Sequence, residues 1–79
     1  MTNEEKIRRR LYLRLDFNAQ DVGMIRLRDK GIGNQLQIQC TALWIELGNT
    51  QEISQSLINR LTIFHDIVES AAKQVGLYQ

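Results

Sequence analysis

In the run KIRRRLYLRLD, Lys6 to Asp16, the leucines Leu11, Leu13 and Leu15 alternate with Arg10, Tyr12 and Arg14. A period of two places alternate side chains on opposite faces of a strand. The pattern predicts a strand from Ile7 to Leu15 with leucines on one face and Arg8, Arg10, Tyr12 and Arg14 on the other. DFNAQD then ends the strand and opens a helix, with Asn18 as N-cap and Asp21 near the positive end of the dipole. This helix is expected from Ala19 to Lys30. It buries Val22, Met24 and Ile25, carries Arg26, Arg28 and Lys30 near its end, and closes at GIGN with Gly31 in a left-handed cap.

QLQIQCTALWIEL carries two periods at once. Leu36, Ile38 and Cys40 alternate with glutamines, yet Leu36, Cys40, Leu43 and Leu47 follow helical spacing. Thirteen uninterrupted residues from Gln35 to Leu47 are long for a strand and ordinary for a helix, so a helix buried on several sides is expected. The alternative, a strand at QLQIQC forming a hairpin with the first, stays open. After GNTQE, with Asn49 or Thr50 as N-cap and Glu52 in the first turn, Leu57, Leu61, Phe64, Val68, Ala71 and Val75 step by four, three, four, three, four. That is a heptad seam on a third helix. Lys73 and Gly76 mark its end.

A chain of 79 residues makes one domain with a small core. The single cysteine, Cys40, forms no internal disulfide, and with the single histidine, His65, it leaves too few ligands for zinc. Oligomerisation is therefore the expected source of added stability. No run is long enough to span a bilayer and MTNEEKIRRR lacks a signal-peptide core, so a cytoplasmic protein with a reduced Cys40 is expected. The net charge of +1 is uneven: residues 1–33 carry +3 and residues 34–79 carry −2.

A lone strand leaves both edges unpaired, and pairing antiparallel with a symmetry mate closes them. The expected product is a homodimer whose leucines cover a shared helical core while the arginines face outward. A two-stranded ribbon fits the DNA major groove, and the arginine fork matches guanine.

The strand with alternating leucines, the polar-capped helix, the Gly/Asn turn and the apolar second helix, over residues 7–47, resemble the ribbon-helix-helix family of DNA-binding proteins. The resemblance implies base contacts from Arg10, Tyr12 and Arg14 and a phosphate grip at Gly33, Asn34 and Gln35, where a helix N-terminus presents free N–H groups. RRRLYLRLD further resembles the ParR-like centromere-binding adaptors of plasmid partition. The expected architecture is thus mainly α with one short strand: an arm at residues 1–6, a ribbon-helix-helix domain at 7–48 and a C-terminal helix within 49–79.

On this reading the protein binds double-stranded DNA as a homodimer, with dimers stacking on repeats. Its output would be autorepression, plasmid partition or conjugation. Lys6, Arg8 and Arg9 add phosphate contacts. Leu11, Leu13, Leu15, Leu36, Cys40, Leu43, Trp44 and Leu47 form the dimer interface. The alternative is a protein-interaction module, an antitoxin or small inhibitor, in which the C-terminal helix holds a protein partner. His65 beside Asp66 reads as structural and Cys40 as a small buried apolar residue. Nothing pairs a nucleophile with a base, so no enzyme activity, cofactor or small-molecule substrate is expected.

Overall fold

Leucine, arginine and lysine are strong helix formers, and only Ile7 among residues 6–16 is β-branched. In the computed structural model, which describes residues 2–78, that propensity prevails. The chain forms three helices, α1 (Asn3–Arg28), α2 (Lys30–Asn49) and α3 (Gln55–Gln74). Among the described residues there is no strand. The ribbon-helix-helix architecture, its intermolecular sheet and the alternative hairpin are therefore all corrected to a three-helix bundle.

The physical reason lies in the leucine pattern itself. Leu11, Leu15, Asn18, Val22 and Ile25 step by four, three, four and three, and all five are buried on one stripe of α1. Leu13, one strand step from both Leu11 and Leu15, falls on the opposite side of the helix and is 54% exposed. DFNAQD does not interrupt the helix because Asn18 points inward with its polar atoms satisfied. The Thr2 hydroxyl caps the N-terminus by accepting from the Glu5 N–H, so residues 3–6 are the first turn of α1.

Asp29 makes the whole turn between α1 and α2. Its backbone N–H donates to the Ile25 carbonyl at 2.7 Å, closing α1, while its carboxylate accepts from the Ile32 N–H at 3.1 Å, opening α2. The helix break expected at Gly31 thus comes two residues earlier, made by an Asx cap rather than a left-handed glycine. Gly33 is buried where the two helices approach closely. A Cβ there would stand 2.3 Å from the Arg26 Cα.

Thr50 ends α2 instead of starting α3, and Ser54 is the N-cap of α3, its Oγ accepting from the Leu57 N–H at 3.1 Å. At the far end Gly76 takes φ 81°, with the Gly76 N–H donating to Lys73 and the Leu77 N–H to Ala72. This pair of bonds is a Schellman motif, which favours glycine at that position.

The α1–α2 pair is antiparallel, since Arg8 near the start of α1 reaches Leu47 near the end of α2. α3 runs alongside α1 in the same direction, with Arg14 meeting Thr62 and Arg28 meeting Val75. The core joins Leu11, Leu15, Val22 and Ile25 of α1 to Leu36, Cys40 and Leu47 of α2 and to the α3 seam. Leu57, Phe64 and Val68 are at most 3% exposed, so that seam is filled by the chain's own helices. No described helix is long and apolar enough to cross a membrane.

Candidate interaction surface

The basic residues of KIRRRLYLRLD scatter around α1, because successive side chains on a helix turn by about 100°. Arg8 is built into the fold. Its guanidinium donates to the carbonyls of Leu47 at 2.6 Å, Thr50 at 2.8 Å and Gln51 at 3.1 Å, satisfying the C-terminal end of α2 with a positive charge. Arg28 does the same for α3 through Val75 and Gly76. Arg14 donates to the Thr62 hydroxyl at 3.2 Å. Lys6, Arg9 and Arg10 are exposed.

Tyr12 lies on the side of α1 away from Arg10 and Arg14. Its ring meets Trp44 edge-on at 5.2 Å, and a Cβ at Gly48 would stand 3.2 Å from its hydroxyl. Arg10, Tyr12 and Arg14 therefore present no common face. Gly33 is buried and its N–H donates to the Asp29 carbonyl at 3.0 Å, while Asn34 and Gln35 are exposed within the opening turns of α2.

The residues expected at a dimer interface also divide. Leu11, Leu15, Leu36, Cys40 and Leu47 are buried within one chain and Leu43 is half-buried, whereas Leu13 and Trp44 are exposed. Burial, and to a lesser degree the negative charge of Asp16, push the Cys40 thiol above its ordinary pKa, which keeps it protonated and unreactive.

What the structure does bring together is apolar. Leu13, Phe17, Met24 and Leu27 line the side of α1 opposite its core stripe, between 52% and 86% exposed. With Gln20 they repeat the buried seam two residues on: positions 13, 17, 20, 24 and 27 shadow 11, 15, 18, 22 and 25. Two residues turn a helix by about 200°, which carries one seam to the other side. Leu13 also borders an open depression of about 540 Å³ between α1 and α2, shared with Tyr12, Asp16 and Trp44. A smaller groove of about 300 Å³ lies between α2 and α3, where Ile63 and Ile67 flank Leu43.

The sequence reading missed Phe17, Met24 and Leu27 as site residues. The signal was present in their four-three spacing from Leu13, but the strand assignment ended at Leu15 and cut the series.

The polar alternative is a short chain across α1 and α3. Asn18 Oδ1 lies 2.9 Å from His65 Nδ1, and His65 Nε2 lies 3.3 Å from Glu69 Oε1. The imidazole thus joins the buried Asn18 of α1 to Glu69 on its own helix. Asp66 lies beside them, and ligand-type atoms of His65, Asp66 and Glu69 fall within 4.8 Å of one another. All three come from one helix, and two are exposed acids. The arrangement serves as a clamp between helices.

No protein-family model, curated protein or solved structure matches the chain.

Proposed function

We propose that the protein is a helical protein-interaction module that docks through the outward face of α1. The observation that carries this reading is the second apolar seam, Leu13, Phe17, Met24 and Leu27, left in water on a helix whose other seam already holds the core. Large apolar side chains gathered on one exposed face favour a protein partner. The DNA-binding reading has less support. Without a ribbon, Arg8 and Arg14 serve the fold, Tyr12 packs on Trp44, and of the basic run Lys6, Arg9 and Arg10 are left for DNA contact.

The test is a photo-crosslinking amino acid placed at Gln20, within the seam, and in a control at Asn59, exposed on α3. Discrete protein adducts from Gln20 and none from Asn59 are expected in cells producing the protein. Equal or absent adducts would overturn the reading. Tight, salt-sensitive binding to duplex DNA that disappears in Arg9→Ala/Arg10→Ala would return the weight to DNA.

A further inference from the structure

We infer that the partner of this face is a second copy of the chain, with the two α1 helices packed antiparallel. The inference rests on the interaction-module reading and names its occupant. A seam with steps of four and three fits another helix, because knobs at those positions enter holes on a facing helix. From Leu13 to Leu27 it runs about 21 Å along α1, two full heptads.

The charges beside the seam select the occupant and its direction. On the side toward α3 stand Arg14, Asp21 and Arg28, each one residue after a seam position. On the side toward α2 stand Arg9 and Asp16. In a parallel pair of α1 helices, one row meets the other row of the second copy five residues on. Arg9 would then face Arg14, and Asp16 would face Asp21, so both contacts repel.

Reversing one helix brings each row against its own copy. Arg14 then faces Asp21 of the second copy, and by the two-fold symmetry the same pair forms twice. Leu13 packs on Met24 of the second copy, and Phe17 covers the aliphatic part of Gln20. The intramolecular bonds leave this possible. Arg14 uses one guanidinium nitrogen on Thr62, and Asp21 accepts from Tyr78 through Oδ2 at 2.9 Å, leaving Oδ1 available. A self-complementary seam flanked by self-complementary charge is what a two-fold interface requires.

Sedimentation equilibrium on the full chain over a range of concentrations tests this. The expected result is a monomer–dimer equilibrium in which Phe17→Gln raises the dissociation constant about tenfold or more. Arg14→Glu should weaken the dimer several-fold, and adding Asp21→Arg should restore it. If Arg14→Glu tightens the dimer, the helices are parallel, since the new carboxylate would face Arg9, and the inference is overturned. Circular dichroism confirms that each variant keeps its helix content, and the exposed Phe17 supplies a variant that disturbs no core contact. A strict monomer at every concentration also overturns the inference. The crosslinker at Gln20 then separates the two ideas: adducts with a different protein leave the module reading standing, and no adducts remove both.

Discussion

α1 and α3 lie side by side and carry the same inner seam, yet their outer faces differ in kind. The back of α3 presents Asn59, Asp66, Ser70 and Lys73 to solvent with one large apolar residue among them, Ile63, so this helix is amphipathic and its seam is filled within the chain. The back of α1 presents Leu13, Phe17, Met24 and Leu27. Inner seams of equal spacing fix the fold, and only the opposite face distinguishes a helix that is finished inside the bundle from one that offers a surface. In the C-terminal helix, first suspected of holding a partner, the heptad seam is covered by the chain's own helices.

The sharpest way to break this comparison is to cut both seams of α1 at equivalent positions. Leu15 is 1% exposed in the core that the three helices share, and Leu15→Ala should cost about 2–5 kcal/mol in urea unfolding. A loss below about 1 kcal/mol would mean that the inner stripe does not hold the core. Gly33→Ala tests a different contact, where backbone meets backbone. With Arg26 Cα 2.3 Å from the added methyl, the helices must part, and a loss of about 1–3 kcal/mol is expected. Unchanged stability would show that α1 and α2 do not approach so closely.

How much of this was legible in the sequence depends on the segment. The α3 seam was readable because one apolar stripe stood against a polar background, and its burial follows the spacing from Leu57 to Ala71. α2 was legible as a helix for its length, though its start was placed five residues late, because Asp29 rather than a glycine makes the turn. α1 was misread because it carries two helical seams offset by two residues. Leu11, Leu13, Leu15 and Phe17 interleave into a false period of two, which imitates a strand over seven residues. Only the longer window to Leu27 separates the seams, and within it helix propensity and spacing agree. The misplaced roles of Arg8 and Tyr12 follow from that error, since a strand would have set both among the outward arginines.

Two arginines in one run show the same division on a smaller scale. Arg8→Ala removes three donors from the C-terminal end of α2, leaving the carbonyls of Leu47, Thr50 and Gln51 to water, and should cost about 1–2 kcal/mol. Arg10→Ala, fully on the surface, should change stability by no more than about 0.5 kcal/mol. Equal losses at the two positions would remove Arg8 as a structural cap. Asn18→Ala belongs beside them: it withdraws the buried hydrogen-bond partner of the His65 imidazole and is expected to cost about 1 kcal/mol.

The smallest effect separates the two faces of α1 most cleanly. Phe17 is 65% exposed, and glutamine is as good a helix former, so in dilute solution Phe17→Gln should leave the midpoint of thermal unfolding nearly unchanged. At high protein concentration the outcome should differ. If α1 helices associate, the native chain gains stability by mass action as concentration rises, while the variant does not, and the two melting curves separate. A difference that grows with concentration therefore assigns Phe17 to an interface. One that is constant with concentration would place its contribution inside the monomer, and one absent throughout would leave the outward seam without a second copy to hold.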